Sequence, residues 1–248
     1  MLSSRLTCRG VSGLMFGVAA CALSAGAEEA EPVAELRADE VTVYGTSNPI
    51  AVFDYPGQVS VVSRDDIELL IPSTPSDLLR DVPGVDFSGG PRRTGEVPSI
   101  RGLSGDNVLI LLDGARQSFI SGHDGRFFID PELISTVEVV RGPASSLYGS
   151  GAVGGVLAFE TVDAADLLRE GESYGARVRA GYQSVNEETF ASFTAFGVQE
   201  NLDAVASLSL RNSGDIELGS GASLPSDDDI SSGLVKLGYQ FSEALRGE

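Results

Sequence analysis

The 248-residue chain carries 36 acidic and 17 basic side chains, which gives a formal net charge of −19 at pH 7. Such an excess of acids opposes binding to nucleic acid, which depends on neutralising phosphates with lysine and arginine. Thirty glycines together with 42% apolar residues fit a folded, turn-rich β protein and exclude a wholly disordered chain.

The N-terminal segment has the organisation of a secretory signal peptide. Two arginines precede an apolar run from Val11 to Leu23, and small residues follow it up to Ala27. The run is shorter than the about 20 apolar residues that a membrane-spanning helix needs. We therefore predict a signal peptide over residues 1–27, with lipoprotein processing at Cys21 as the alternative. Both cysteines of the chain lie inside this segment, so no thiol, disulfide or cysteine-based metal site is predicted for the mature protein.

Residues 28–48 follow as an acidic, alanine-rich segment without hydrophobic periodicity, which predicts a flexible linker. Within it, residues 39–46 change to a short strand-forming sequence near a free end. An extended segment of this kind can add a strand to the edge of a partner's sheet. It can also be the first strand of the following domain, and composition alone leaves both interpretations open.

Residues 49–162 predict a compact α+β domain of short alternating elements. Serine or threonine followed three residues later by an acid predicts two helices, one ending at Leu70 and one over Asp77–Asp81. Val108–Leu112 is a continuous apolar run, which predicts a central buried strand, and the Asp113-Gly114 pair after it predicts a hairpin turn. Further strands are predicted over residues 59–62, 85–87, 99–101, 136–140 and 156–159, and a short helix over Pro131–Ser135.

The segment between the last two of these strands is rich in glycine. Gly149, Gly151, Gly154 and Gly155 predict a backbone that turns sharply or packs closely. Residues 149–154 also satisfy the pattern G-x-G-x-x-G, which occurs in dinucleotide-binding sites. Such a site needs a strand before the motif and a helix after it, and the flanking residues predict the reverse order. The pattern therefore disfavours nucleotide binding.

Residues 163–248 change to strand-like alternation. Over residues 174–185, alanine, valine and tyrosine side chains occupy one face, and Arg177, Arg179 and Gln183 occupy the other. The alternation recurs over residues 189–199, 203–211 and 234–241, with polar turns between them that include residues 212–229. Segments of roughly ten residues with this pattern indicate a transmembrane β-barrel, which needs about 8 strands to close. We therefore expect a truncated barrel here, and a soluble β-sandwich is the alternative.

Three motifs in order, Val137–Pro143, Leu147–Gly149 and Gly154–Val156, resemble the plug-domain signature of TonB-dependent outer-membrane receptors. The resemblance implies an α+β plug domain over residues 49–162, followed by the first strands of a transmembrane antiparallel β-barrel over residues 163–248. It implies a place in the outer membrane of a Gram-negative bacterium. It also places Glu138 and Arg141 at the interface between plug and barrel. The TonB box, which the TonB energy-transducing complex captures, would be Asp39, Glu40, Val41, Thr42, Val43, Tyr44, Gly45 and Thr46.

Five arginines are scattered through the predicted plug: Arg92, Arg93, Arg101, Arg116 and Arg141. Inside a barrel their guanidinium groups would need acidic partners or water, because burying an unpaired charge is costly. A polar, hydrated contact would let the plug rearrange at a lower cost than an apolar core would. The alternative is simple surface charge.

His123, the only histidine in the sequence, lies in a segment rich in glycine and polar residues, which predicts an exposed loop. The run Ser121-Gly122-His123, with residues 127–133 and 159–168, resembles the haem and haemoglobin receptor branch of the family. That resemblance implies that His123 is an axial ligand of haem iron, for which an imidazole nitrogen is suited. A solvent-facing histidine without a ligand role is the alternative.

The chain is therefore identified as part of a receptor and active transporter for haem, or for haem taken from haemoglobin. We expect it to leave its ligand covalently unchanged, to have no cofactor of its own, to contact outer-membrane lipid and to bind no nucleic acid. A siderophore or cobalamin receptor is the second expectation. A soluble periplasmic enzyme is the third, and a single histidine disfavours a hydrolytic triad or a zinc site.

Overall fold

The computed structural model describes residues 57–117, 127–242 and 245–247. The predicted signal peptide, the linker, residues 39–46 and His123 lie outside these residues. Two five-stranded sheets dominate the described part of the chain, and we call them the first and the second sheet.

The first sheet and its helices occupy the N-terminal part of the described residues. The elements of this part are β1 (Gln58–Val62), α1 (Arg64–Leu70), α2 (Pro75–Leu79), β2 (Val85–Ser88), β3 (Val97–Ile100), β4 (Leu103–Ser104), β5 (Val108–Leu112), β6 (Ala115–Gln117), β7 (Ile134–Arg141), α3 (Ser145–Tyr148), β8 (Gly155–Thr161) and α4 (Ala164–Leu167). Of these, β2, β3 and β4 form a separate three-stranded sheet. The second sheet and its connections follow as β9 (Tyr174–Gln183), β10 (Glu188–Gln199), β11 (Leu202–Ser213), β12 (Ile216–Glu217), β13 (Ser223–Leu224), β14 (Asp228–Ser242) and β15 (Leu245–Gly247).

The first sheet has the strand order β1-β7-β8-β5-β6. Its neighbours are antiparallel except β5 and β8, which run parallel. The central strand is β8, whose Val156 and Leu157 are buried on opposite faces. The predicted strand Val108–Leu112 is confirmed as β5, an interior strand between β8 and β6, in which Val108 and Leu109 are buried and the last three residues are partly buried. The predicted hairpin turn after β5 is confirmed by its antiparallel pairing with β6.

The apolar core of this domain joins the helices to the first sheet. Ile67 of α1 and Leu78 and Leu79 of α2 pack into one cluster with Val137 and Phe159 of the central strands. Each of these side chains is buried, and full burial of such a side chain stabilises a fold by about 1.5–3 kcal/mol. The core therefore fixes both short helices, which would be unstable alone.

Both predicted capping boxes are present. The Asp66 N–H donates to Ser63 Oγ at 3.3 Å, and the Ser63 N–H donates to the Asp66 carboxylate at 3.0 Å. Thr74 and Asp77 make the same exchange at the start of α2. This helix begins at Pro75 and not at Asp77 as predicted, because Thr74 is its N-cap and proline suits a first helical position that needs no N–H donor.

The predicted helix over Pro131–Ser135 is a single 3-10 turn, Pro131–Leu133, in which Asp130 Oδ1 accepts the Glu132 N–H at 3.1 Å. The helix prediction was wrong because Ile134 already belongs to β7 and pairs with β8. Pairing with a neighbouring strand thus outweighs the local helix signal.

Gly154 and Gly155 lie where two parts of the backbone approach closely, as predicted. A β-carbon on Gly155 would lie 2.2 Å from the Val140 carbonyl oxygen, and one on Gly154 would lie 2.9 Å from the Leu103 β-carbon. The G-x-G-x-x-G pattern lies between α3 and β8, so helix and strand occur in the reverse of the order that a dinucleotide site requires.

The second sheet has the strand order β15-β14-β11-β10-β9, and its neighbours are antiparallel. The first three predicted strands are confirmed as β9, β10 and β11. The fourth begins at Asp228 and not at Leu234, because Asp228 and Asp229 pair with the end of β11. The loop predicted over residues 212–229 is therefore shorter, and it contains the small hairpin of β12 and β13.

The two faces of the second sheet have opposite polarity. Apolar side chains project outward, with Tyr174 83%, Val178 75% and Val235 76% exposed, whereas polar side chains such as Ser192 and Ser209 are buried. A β-sandwich would bury its apolar face, whereas a sheet whose outer face meets lipid exposes it. None of the helices in the described part of the chain has the length and apolar composition that a membrane crossing would need.

We predict that Gly155→Ala destabilises the first sheet, because the added β-carbon would overlap the Val140 carbonyl oxygen. Overpacking of this kind costs about 1–3 kcal/mol. Scanning calorimetry of the detergent-solubilised full-length protein should show a lowered unfolding temperature. Gly95→Ala is the matched control, since its β-carbon would meet nothing closer than 3.7 Å. Equal unfolding temperatures for the two variants would contradict the prediction.

Candidate functional site

The inner face of the second sheet meets the first-sheet domain through polar side chains. Ser209 Oγ donates to Asp130 Oδ2 at 2.5 Å, and Ser192 Oγ lies 3.5 Å from Glu132 Oε2. A smaller apolar cluster around Val205 packs against α4 elsewhere in the contact. Because hydrogen bonds carry much of this contact, its partners can exchange with water if the surfaces separate.

Five charged side chains run across the contact, and we call them the charge chain: Asp130, Arg211, Glu188, Arg93 and Asp228. Arg211 lies 3.2 Å from each carboxylate oxygen of Asp130 and 2.6 Å from Glu188 Oε1. Arg93 donates through Nη2 to Glu188 Oε2 at 2.8 Å and through Nε to Asp228 Oδ2 at 2.6 Å. The charges alternate in sign, so each guanidinium lies between two carboxylates.

The charge chain is buried along most of its length. The side chains of Asp130, Arg211 and Glu188 are 0%, 3% and 4% exposed. Removing one member of a buried ion pair leaves an uncompensated charge, which costs about 3–5 kcal/mol. Arg211 also lies over the Phe190 ring, 4.4 Å from its centroid, which adds a cation–π contact. These contacts favour a single register between the two surfaces.

Each member of the charge chain lies at the end of an element or in a turn. Glu188 and Asp228 are the first residues of β10 and β14, and Arg211 lies near the end of β11. Asp130 caps the turn before β7, and Arg93 begins a 3-10 turn between β2 and β3. Burial lowers the pKa of Arg93, but its bonds to Glu188 and Asp228 outweigh this effect and the pKa is raised, so the group stays charged.

A second set of ion pairs is more exposed. Glu68 of α1 contacts both Arg64 and Arg177 of β9, and Arg179 lies 2.8 Å from Glu132. Burial raises the pKa of Glu68, but hydrogen bonding and attraction from Arg177 and Arg64 dominate and lower it. Because Glu68 is 37% exposed, solvent screens its two pairs and each contributes little to stability.

A cavity of about 180 Å³ lies beside Arg93, between the first-sheet domain and the turns of the second sheet. Ser76 Oγ donates to Glu96 Oε1 at 2.8 Å, while Glu96 Oε2 has no hydrogen-bond partner in the part of the chain that the structure describes. Burial raises the pKa of the Glu96 carboxyl, and repulsion from Asp77 adds to this, against the lowering effect of the Ser76 hydrogen bond. The surroundings of Glu96 therefore favour its neutral form more than water does.

The predicted site residues lie apart from the charge chain. Arg141 donates to the Pro83 carbonyl oxygen at 2.8 Å and to Ser60 Oγ at 2.9 Å, and Glu138 is buried in the first sheet. Their assignment to a plug–barrel interface stays a prediction. His123 and the predicted TonB box lie outside the described residues, so their roles also stay predictions. Across residues 57–117 and 127–242, no group of three or more His, Cys, Asp or Glu side chains is arranged to hold a metal ion.

Sequence reasoning identified Arg93 only as one of several cations needing an acidic partner, and it missed the partners themselves. Glu188 lies 95 positions from Arg93, and Asp228 lies 135 positions away. One signal was present, because Glu188 and Arg211 each continue the inward-facing polar alternation of their strands. Alternation indicates the face of the sheet on which a charge lies but not the charge that it meets.

Comparison with known proteins gives a consistent result. A family model described as TonB-dependent Receptor Plug Domain matches residues 51–156. The chain is 38% identical over 203 residues to a hemin receptor from Yersinia pestis, and the match covers 82% of this chain and 30% of that protein. The chain thus spans about 30% of the length of this curated relative.

Solved structures show the same similarity. The FrpB iron transporter from Neisseria meningitidis matches with a TM-score of 0.68 and 30% identity, covering 75% of this chain and 30% of that one. A double mutant of the Serratia marcescens hemophore receptor HasR, in complex with its hemophore HasA and heme, matches with a TM-score of 0.69 and 28% identity. That match covers 77% of this chain and 30% of HasR.

We predict that Arg211→Met loosens the contact between the two domains, because it leaves the buried carboxylates of Asp130 and Glu188 without their shared cation. The expected cost is about 3–5 kcal/mol. Calorimetry of the detergent-solubilised full-length protein measures it. Arg177→Met is the matched control, since it removes an arginine from the same face of the sheet but from a half-exposed pair, at a cost below about 1 kcal/mol. A loss no larger than that of the control would refute the role of the charge chain.

We predict that Glu96→Gln stabilises the protein at neutral pH. The folded-state pKa of Glu96 is raised above its ordinary value of 4.5, so folding favours the protonated form, and this contribution is lost as pH rises through the folded pKa. Glutamine stays neutral and keeps an acceptor for Ser76. Calorimetry from pH 4 to pH 8 should show a higher unfolding temperature for the variant at neutral pH and a shrinking difference towards pH 4. The exposed Glu200→Gln is the control, and a difference independent of pH would rule this explanation out.

Proposed function

Because the chain belongs to the TonB-dependent receptors of the outer membrane, and comprises their plug domain and the first strands of their barrel, we propose that the whole protein binds haem at the cell surface and transports it into the periplasm. The observation that carries this proposal is the 38% identity to a hemin receptor over 82% of the chain. The match covers both the plug and the first strands.

The proposed ligand is haem, either free or taken from haemoglobin, and it is cargo and not a resident cofactor. The HasR structure, which is 28% identical, was solved with heme bound, and this supports the choice of ligand. His123 is the proposed axial ligand, because it is the only histidine in the sequence and its imidazole nitrogen is a suitable donor to haem iron. A second axial ligand would come from another part of the whole protein.

The proposed transport step needs no covalent change in haem. Ligand bound outside would make residues 39–46 available in the periplasm, where the TonB complex would pair with them as an added strand. A pull on that segment would then rearrange the plug and open a path. The polar contact between the plug, which is the first-sheet domain, and the second sheet supports this step, because hydrogen bonds such as Ser209 to Asp130 can be replaced by water.

The charge chain would oppose such a rearrangement most strongly, since its members lose buried partners when the surfaces separate. The more exposed pairs of Glu68 would yield at a lower cost. A plug held by strong buried ion pairs at one place and by weaker exposed pairs at another can stay in position without ligand and still be moved by applied force.

Another iron-bearing ligand is the second candidate. The similarity to FrpB favours it, because that protein is an iron transporter. A siderophore receptor would use the same plug, barrel and TonB box, and it would not need His123 as an iron ligand.

We predict that His123→Ala weakens haemin binding by the full-length receptor. Loss of an axial ligand should raise the dissociation constant at least about tenfold, equivalent to ~1.4 kcal/mol, and shift the Soret band. Absorption titration with haemin measures both quantities. Ser121→Ala, in the same segment, is the control. An unchanged Soret band and affinity would remove His123 from the site, and no haemin binding by the unaltered receptor would favour the second candidate.

A further inference from the structure

The hairpin of residues 214–227 joins β11 to β14, and Arg93 of the plug donates hydrogen bonds to the two residues at its base. Ser213 and Asp228 are the last facing pair of the β11–β14 ladder, immediately before and after the hairpin. Arg93 donates to Asp228 Oδ2 at 2.6 Å and to Ser213 Oγ at 3.3 Å. Ser213 Oγ in turn donates to Asp228 Oδ1 at 2.8 Å. One guanidinium therefore holds both ends of the hairpin.

The hairpin is stiffened just beyond this base. The Asp215 carboxylate accepts the backbone N–H of Ser226 at 2.9 Å and the hydroxyl of Ser223 at 3.2 Å. The Ile216 N–H donates to Ser226 Oγ at 2.9 Å, and β12 pairs with β13. Because these bonds join the two arms of the hairpin, the arms move together, and a displacement of the tip also displaces the base.

On the plug side, Arg93 is tied to a segment that reaches the core. Its Nη1 donates to the Ser73 carbonyl oxygen at 3.3 Å. Ser73 lies next to Thr74, the N-cap of α2, whose Leu78 and Leu79 are buried in the core of the plug. Arg93 is itself only 7% exposed, so it cannot leave Asp228 and exchange freely with water. A shift of the hairpin base must therefore either move Arg93 or break its buried bonds.

The connections of the second sheet indicate which side of the membrane the hairpin faces. β10 and β11 are joined at the opposite end by the short turn at residues 200–201, whereas the hairpin spans residues 214–227. Outer-membrane barrels have short periplasmic turns and longer extracellular loops. The hairpin therefore lies on the extracellular side, where a ligand arrives.

We propose that Arg93 couples the hairpin of residues 214–227 to the plug, so that ligand contact with the hairpin alters the plug segment around α2. The proposal rests on the proposed receptor function for its biological meaning. It assigns Arg93 a positioning role, in which it acts through Ser73, Ser213 and Asp228 and does not touch the ligand.

The test separates the hairpin from Arg93 while keeping the rest of the charge chain. In the full-length receptor, Asp228→Asn combined with Ser213→Ala weakens both contacts at the hairpin base and leaves the pair of Arg93 and Glu188 in place. Asp229→Asn is the matched control, because it makes the same change of charge at the next residue, which is exposed and accepts a hydrogen bond from Asn212. If the double variant fails to reach the outer membrane, Asp228→Asn alone gives the same comparison.

Hydrogen–deuterium exchange of backbone amides over residues 73–79 and 92–96, with and without haemin, is the measurement. Without ligand, exchange in these segments should be about fivefold faster or more in the double variant, at the lower end of usual coupling factors, and unchanged in Asp229→Asn. Saturating haemin should alter exchange there in the unaltered receptor and the control, and not in the double variant. Haemin uptake at saturating ligand should fall only in the double variant.

Equal exchange in the double variant and in Asp229→Asn would overturn the coupling role of Arg93. A haemin-dependent change that persists in the double variant would overturn it as well. If the unaltered receptor does not bind haemin, the proposed ligand fails, and the comparison without ligand still decides whether the hairpin and the plug are coupled.

Discussion

The structure depends on one constraint, which is that charges buried between the plug and the second sheet must be paired. Asp130, Glu188, Arg93 and Arg211 are nearly inaccessible to solvent, and each has its partners on the opposing surface or next to it. A one-residue slip of β10 or β11 in its strand pairing would turn the inward side chains of that strand outward and leave the buried charges without counter-charges. The pairing of these charges therefore fixes the position of the plug against the second sheet.

This constraint explains why the second sheet has its polar side inside. Its outward face carries Val178, Val235 and Tyr174, which suit lipid, and its inward face must accommodate a plug with a polar surface. The main apolar core lies within the plug, around Ile67 and Phe159, and a smaller apolar cluster joins Val205 of the second sheet to α4. Separation of the plug from the second sheet would open that smaller cluster and the contact of Leu234 and leave most of the main core covered, so folding stability and the proposed transport make separate demands on the sequence.

Local signals in the sequence predicted much of the plug. The capping boxes at Ser63 and Thr74 depend on residues three apart, and the hairpin after β5 depends on an adjacent Asp-Gly pair, so both could be found. The helix prediction at Pro131 failed because the pairing of Ile134 with β8 has no local trace. The start of β14 was missed for a similar reason, since Asp228 has an unfavourable composition for a strand and is stabilised by Arg93, 135 positions away. The contacts of the charge chain join residues 23 to 135 positions apart, and only the polarity of the strand faces indicated them.

The place of β1 in the first sheet has a mechanical consequence. β1 is one of the two edge strands of the first sheet and pairs with β7, in a register that starts with Gln58 opposite Arg141 and continues to Val62 opposite Val137. Tension applied at Gln58 across the direction of the strand would open these hydrogen bonds one after another, as in peeling, whereas tension along the strand would load them together, as in shear. Each backbone bond contributes only about 0.5–1.5 kcal/mol net, so a modest force could strip this strand while the other four stay assembled.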